Sequence, residues 1–133
     1  MRARPLHPGA ARGRALVLAE PLSLWGGLDP ASGEVVDPHH PQRGANLAGR
    51  VLVLPAARGS SSSSSVLAEA ARAGVAPAAI LLGEPDLILA VGAAVAEELY
   101  GVVIPVAVMA PEALAGIPDG AKVDIGSDGE VAL

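Results

Sequence analysis

The chain has 133 residues, 51% of them hydrophobic but only 2% aromatic, so a single domain with an aliphatic core is expected. Beyond residue 14, five basic residues stand against fourteen acidic ones. This excess of negative charge disfavours nonspecific nucleic-acid binding, and the scarcity of aromatic rings disfavours base stacking. Because cysteine is absent, disulfides and cysteine-bound zinc or iron–sulfur clusters are excluded within this chain.

The N-terminal thirteen residues differ from the rest in being basic, and they contain Pro5 and Pro8. They are predicted to form a flexible leader, residues 1–13, ahead of a domain at residues 14–133. The leader lacks the apolar core of a secretory signal. The longest apolar stretch, Leu87 to Ala96, is too short to span a membrane and fits a buried helix better. We therefore expect a cytoplasmic protein without membrane contacts.

Short apolar runs alternate with helical patterns along the chain. Strands are predicted at Ala15–Leu18, Val51–Leu54, Ala78–Leu82, Val102–Met109, Lys122–Ile125 and Glu130–Leu133. Helices are predicted at Val66–Ala73, through Ile88, Val91, Val95 and Leu99, and as one turn at Pro111–Ile117. Pro105 should place its strand at an edge or a bulge. The order predicts an α/β fold with a mixed sheet and one helical layer.

The long segment Pro21–Asn46 is rich in glycine, proline, histidine and aspartate. Long loops of this kind in compact domains tend to be functional. Adjacent His39 and His40 could not both face one metal from a regular strand, so we favour one histidine lining a site or fixing the loop through Asp37. Trp25 either lies over a ligand or partner, or fills the core of this phenylalanine-free domain.

Six consecutive serines, Ser60 to Ser65, lie between a predicted strand, Val51–Leu54, and a predicted helix, Val66–Ala73. A turn at this position opens a helix N-terminus, whose free N–H groups and positive dipole end attract anions. A strand–loop–helix junction is also where α/β proteins commonly bind ligands. Two other interpretations stay open: a flexible linker, and a serine that only caps the helix.

The hydroxyls of Ser60, Ser61 and Ser64 are the candidate reactive groups at this junction. A serine is a weak base or nucleophile unless its surroundings stabilise the alkoxide, which the helix dipole would do. Arg58, just before the turn, could bind a carboxylate or phosphate in a bidentate pair, or lie on the solvated surface.

Several motifs along the chain together resemble the small subunit of the aconitase X family, over about residues 14 to 133. They are Glu20-Pro-Leu-Ser-Leu-Trp-Gly-Gly-Leu-Asp-Pro30, Gly33, Asp37, His40-Pro41, Gly49-Arg50 and Arg58-Gly59-Ser60. The resemblance implies a swivelling β/β/α domain of the aconitase type that closes with a large subunit over a shared active site. It further implies that an iron–sulfur cluster or metal belongs to the large subunit and that this chain binds none.

The resemblance also implies residue roles. The catalytic base maps onto Ser60, which directly follows a turn glycine. Where aconitase carries an arginine after its serine pair, this chain has Ser62, so that anion contact is lost or taken by Arg58. The predicted substrate-binding residues are Ser61, Ser64, Arg58, Gly59 and His40.

Members of the family resemble dehydratases of cis-3-hydroxy-L-proline or of mevalonate 5-phosphate. We favour the first, because the Gly-Ser-rich turn and the Ser-x-Trp-Gly-Gly segment look closer to bacterial imino-acid dehydratases. A phosphate-bearing substrate would fit the same helix N-terminus. A non-catalytic binding or regulatory subunit, whose serines merely cap a helix, is the alternative from another class.

Overall fold

The computed structural model describes all of residues 1–133 and contains seven strands in one sheet. The strands are β1 (Arg4–His7), β2 (Ala11–Val17), β3 (Val51–Leu54), β4 (Ala79–Leu82), β5 (Val106–Val108), β6 (Lys122–Ile125) and β7 (Val131–Ala132). The helical elements are α1 (Leu24–Gly27), a short turn in which Trp25 and Gly26 have non-helical backbone angles, and the helices α2 (Ser63–Arg72), α3 (Leu87–Tyr100) and α4 (Pro111–Leu114). The sheet order is β1-β5-β4-β3-β2-β6-β7, with β2 to β5 parallel and the outer strands antiparallel. The predicted mixed sheet is confirmed.

The two central strands, β3 and β4, are buried along their whole length. Leu52 and Leu54 point into the layer formed by α2 and α3, whereas Val51 and Val53 pack into a second cluster with α4, β6 and β7. Because side chains alternate across a strand, both faces of these strands must be apolar. This is why both sequences are uninterrupted aliphatic runs.

The helical layer is built from small residues at its closest contact. A Cβ on Gly92 of α3 would lie 2.9 Å from the carbonyl oxygen of Ser64 and 3.0 Å from its Cα. The missing side chain therefore lets the two helix backbones approach directly. The Asp86 carboxylate accepts a hydrogen bond from the Leu89 N–H (2.9 Å) and so fixes the start of α3.

Residues 1–13, expected to precede the domain as a leader, instead contribute to the sheet. β1 pairs with β5, residues 11–14 of β2 pair with β6, and a bridge between Arg2 and Glu130 joins the two edges of the curled sheet. Edge strands tolerate proline and carry charged side chains, so their sequence resembles that of a disordered segment. The expectation of a leader outside the domain was therefore wrong.

Several predicted elements have different bounds in the structure; β2, for example, begins at Ala11 rather than at Ala15, and β7 covers only Val131–Ala132. β5 covers only residues 106–108 of the strand predicted at 102–109, and α4 covers residues 111–114. α2 begins at Ser63, three residues earlier than predicted, so it includes half of the serine run. None of the helices combines the length and the apolar character needed to cross a membrane.

The face that α3 buries also differs from the prediction. Leu89, Gly92, Ala93 and Ala96 are its buried residues, whereas Val91, Val95 and Leu99 of the predicted apolar stripe are exposed. Small side chains suit the tight contact with α2, and the larger aliphatic ones are left on the outside.

Candidate active site

The serine run forms the turn that joins β3 to α2, and its last three residues are helical. Ser60 Oγ accepts a hydrogen bond from the Ser62 N–H (3.0 Å), and Ser64 Oγ donates one to the Ser61 carbonyl (2.8 Å). Local hydrogen bonds therefore order the turn, and the flexible-linker interpretation is wrong. The predicted helix N-terminus at the end of a central strand is confirmed.

Three successive backbone N–H groups, those of Gly59, Ser60 and Ser61, have no hydrogen-bond acceptor within the chain. Gly59 has φ +96°, in the left-handed region. Consecutive free N–H groups at such a turn are typical of anion-binding concavities, and the N-terminus of α2 adds positive potential. The turn is therefore suited to hold an anionic group.

A second segment, around α1, packs directly against this turn. The Arg58 N–H donates to the Leu22 carbonyl (3.2 Å), and the Trp25 N–H donates to Ser63 Oγ (3.1 Å). A Cβ on Gly59 would lie only 2.6 Å from Ser23 Oγ. Ser23 therefore lies at the candidate site, although the sequence prediction did not include it among the site residues.

Ser63 was also missing from the predicted site residues, and it is the serine of the run that is buried. A helical period would have indicated this, because Ser63 shares a face with Val66, Leu67 and Ala70, which are buried as well. Its hydroxyl positions the Trp25 backbone. Trp25 itself is 60% exposed, which excludes the interpretation that its indole fills the core.

Replacing Gly59 with alanine tests the contact between the two segments. The left-handed conformation alone should cost about 1–2 kcal/mol, and the new methyl group would displace Ser23. Adding Ser23→Gly should recover the part of the lost unfolding free energy that the clash with Ser23 causes. The double variant should therefore lose less stability than the sum of the losses in the two single variants. Urea unfolding of all four proteins measures this coupling, and additive losses would mean that Ser23 does not pack on Gly59.

Two of the predicted substrate-binding residues, Ser61 and Ser64, lie together in an open depression of about 230 Å³. Its other lining residues are Leu87, Ile88 and Val91 of α3. Arg58 is exposed, and its side chain has neither a hydrogen bond nor an ion pair within the chain. Its guanidinium is thus available to an anion bound near the turn.

A larger depression, of about 360 Å³, opens at the carboxyl ends of β2 and β3 beside α4. Its lining is mostly apolar, with Glu84 as the one charged residue, and it contains no serine. We place the site at the serine turn instead, because free N–H donors and hydroxyls meet there.

His40 is buried and uses both ring nitrogens within the chain. Nε2 lies 3.2 Å from the Glu20 carbonyl, and Nδ1 accepts a hydrogen bond from the Gln42 N–H (3.0 Å). The structure therefore shows His40 holding the 20–46 segment rather than exposing a free nitrogen to a ligand. Asp37 also orders this segment, through the His39 backbone N–H (2.9 Å), whereas the His39 side chain is exposed.

The pKa of Asp29 is lowered by a hydrogen bond from the Ala31 N–H and by another from the Ser32 hydroxyl. Protonation would remove the negative charge that strengthens both hydrogen bonds. The contribution of this carboxylate to loop order is therefore complete above the ordinary pKa of about 3.9 and is lost as the pH falls through the lower folded-state value. An NMR titration should find the pKa of Asp29 below its ordinary value. Ser32→Ala should raise it, and an unchanged value would show that the hydroxyl does not contribute.

A sheet with parallel central strands, one of which leads into a serine-rich helix N-terminus with free N–H donors, is typical of α/β domains that bind a ligand at this position. A comparison with known protein families identifies the family to which this domain belongs. The chain matches the aconitase X swivel domain over residues 1–133, and it belongs to that family. The resemblance seen in its motifs is confirmed.

Two of the relatives that match this chain differ greatly in length. Cis-3-hydroxy-L-proline dehydratase of Pseudomonas aeruginosa is 56% identical over 104 residues, which are 78% of this chain and 18% of that protein. The phosphomevalonate dehydratase small subunit of Methanothrix thermoacetophila is 37% identical over 125 residues, covering 94% of this chain and 87% of the subunit. The chain thus spans less than a fifth of the first relative but nearly all of the second.

The same fold occurs in a solved structure. The crystal structure of Thermococcus kodakaraensis aconitase X in its holo-form matches with a TM-score of 0.87 at 34% identity, covering 98% of this chain and 94% of the other. The curled seven-stranded sheet with its helical layer is therefore the fold of this family.

Proposed function

We propose that this chain is the small subunit of a two-component hydro-lyase that dehydrates a β-hydroxy acid, namely cis-3-hydroxy-L-proline. The active site would lie at the interface with an aconitase X large subunit. The observation that carries this proposal is the placement of Ser60 at the N-terminus of α2, directly after Gly59 and beside free N–H donors. The 56% identity to a dehydratase of that substrate supports the choice of substrate.

Ser60 is the proposed base. Its Oγ accepts the Ser62 N–H and lies at the positive end of α2, and both features stabilise an alkoxide relative to the hydroxyl. The alkoxide removes the proton α to the substrate carboxylate while the β C–O bond breaks. A carbon–carbon double bond forms, and the β-hydroxyl leaves as water with a proton from the partner.

The substrate carboxylate would be bound by the N–H groups of Gly59, Ser60 and Ser61, together with Arg58. These N–H groups are already free, and the Arg58 side chain is unpaired, so binding breaks no hydrogen bond within the chain. Such fixed donors need no reorganisation as charge develops on the carboxylate. Ser64, which lines the adjoining depression, would contact the rest of the substrate.

The residues of this chain do not fit an iron–sulfur cluster. There is no cysteine, and no three side chains of histidine, aspartate or glutamate come together as a metal-binding group. We therefore assign any cluster or metal to the large subunit, and the steps given to Ser60 and Arg58 do not depend on it.

A second substrate, mevalonate 5-phosphate, is favoured by a different observation. The relatives that match this chain over almost their whole length are separate small subunits named for phosphomevalonate dehydratase. Free N–H groups at a helix N-terminus bind a phosphate as well as a carboxylate. The serine chemistry would be the same for both substrates.

Co-expression with the large subunit from the same genome, followed by assay of both hydroxy acids, tests the proposal. Loss of water from cis-3-hydroxy-L-proline only when both chains are present is the expected result. Turnover of mevalonate 5-phosphate alone would show that the proposed substrate is wrong, and it would leave the proposed mechanism unchanged. An assembled complex inactive on both would favour the non-catalytic alternative.

A further inference from the structure

The outer face of α3 carries a row of exposed aliphatic side chains that no part of this chain covers. Leu87, Val91, Val95 and Leu99 follow one another every four residues, with exposed fractions of 72%, 54%, 37% and 64%. Four-residue spacing puts them on one face of the helix. Contiguous exposed apolar surface of this kind usually marks an interaction site.

This row borders a groove between α2 and α3 that starts at the serine turn. Two adjoining depressions, of about 230 and 240 Å³, both include Ser64. The first is lined by Ser61, Leu87, Ile88 and Val91, and the second by Ser65, Ala68, Glu69, Val95 and Tyr100. The apolar surface is thus continuous with the candidate active site.

We propose that this α2/α3 groove is the surface on which the large subunit docks. The identity of the partner rests on the proposed function, whereas the location rests on the exposed row and its continuity with Ser61 and Ser64. The matched region is 18% of the Pseudomonas relative, whereas it is 87% of the Methanothrix relative, which is named as a small subunit. A separate chain must be held by surface contacts alone, and the α3 row supplies an apolar centre for them.

Charge at the end of the groove constrains the partner further. Glu98 lies on the same face, one turn beyond Val95, and its carboxylate has no ion-pair partner in this chain. The Glu69 carboxylate, by contrast, is already paired with Arg72. We therefore expect an apolar large-subunit surface facing Val91, with a basic residue opposite Glu98.

Val91→Glu tests this surface, with Val103→Glu as the matched control. Val103 has a similar exposed fraction, 45%, but lies beside Gly9 near β1. With the large subunit from the same genome, Val91→Glu should raise the dissociation constant about 30-fold or more, as for the loss of an interface hot spot. Val103→Glu should change it less than about threefold, since a surface substitution outside the interface has little effect. Thermal unfolding of each isolated variant checks that both are folded, as we expect for substitutions at exposed positions.

Wild-type affinity for Val91→Glu would overturn the docking surface and leave the dehydratase proposal intact. Conversely, the wild-type complex could be inactive on both substrates while Val91→Glu still weakens its assembly. That result would support the docking surface and contradict the proposed dehydratase function. Sedimentation of this chain alone adds a further outcome. A dimer that Val91→Glu dissociates would assign the groove to self-association and overturn the proposed partner.

Discussion

Ser60→Ala should lower the turnover number of the assembled complex about 1,000-fold, the usual contribution of a positioned general base. Assembly and substrate affinity should be retained, because the free N–H groups of Gly59, Ser60 and Ser61 belong to the backbone. The Ser62 N–H loses its side-chain acceptor, so a stability loss of about 1 kcal/mol is expected. Single-turnover kinetics and substrate titration of the complex separate these effects.

Ser65→Ala is the matched control for this experiment. Ser65 belongs to the same serine run and is exposed, and its hydroxyl forms no hydrogen bond within the chain. Ser65 lines the α2/α3 groove proposed for docking, so turnover is compared at a saturating concentration of the large subunit. The replacement removes a hydroxyl that contacts no group of the candidate active site, and turnover should therefore stay within about twofold of wild type. Near-normal turnover in Ser60→Ala would remove Ser60 as the base. It would leave the capping interpretation, in which the serines contribute only stability.

Gly129→Ala should destabilise the fold by about 3 kcal/mol, more than Gly59→Ala or Gly120→Ala. Gly129 has φ +95°, and a Cβ there would lie well inside contact distance of the Ala3 carbonyl oxygen. The same glycine accepts a hydrogen bond from the Ala3 N–H (2.7 Å), so the N-terminal residues would be pushed off the β6–β7 hairpin. Urea unfolding measures the loss.

Gly120→Ala is the control that separates the stability cost of a positive φ from the cost of the clash with Ala3. Gly120 has a similar φ of +82°, but a Cβ there would meet nothing within 4 Å. Its replacement should therefore cost only the conformational term of about 1–2 kcal/mol. In a chain lacking residues 1–3, most of the difference between the two substitutions should disappear, although a contact with Pro5 remains at 3.3 Å. A persistent difference there would show that the N-terminal residues are not the cause.

Much of the fold could be predicted from local pattern. Val51–Leu54 and residues 79–82 are buried parallel strands, as their uninterrupted aliphatic sequence indicated. Gly101 ends α3 in the left-handed conformation, as expected of a glycine at a helix C-terminus. The serine turn falls between β3 and α2 because an apolar strand and a helical period flank it on either side.

The candidate site was only partly predictable. Ser60, Ser61 and Ser64 could be placed at the helix mouth because they are neighbours in the chain. Ser23 could not, because its approach to Gly59 comes from a segment 36 residues earlier in the sequence. The burial of His40 likewise depends on a backbone carbonyl twenty residues away.

The sequence by itself determined the aliphatic core, the central parallel strands and the serine-rich helix N-terminus, because each depends on short-range periodicity and local hydrogen bonding. Tertiary structure decided that residues 1–13 join the sheet, that Trp25 is exposed, and that α3 turns its larger aliphatic side chains outward. Each of these three features depends on which parts of the folded chain pack against one another. Gly92 lets α2 and α3 pack through small residues, so the apolar face of α3 does not all point inward. Periodicity shows that a helix has an apolar face, but only packing decides whether that face meets the core or another chain.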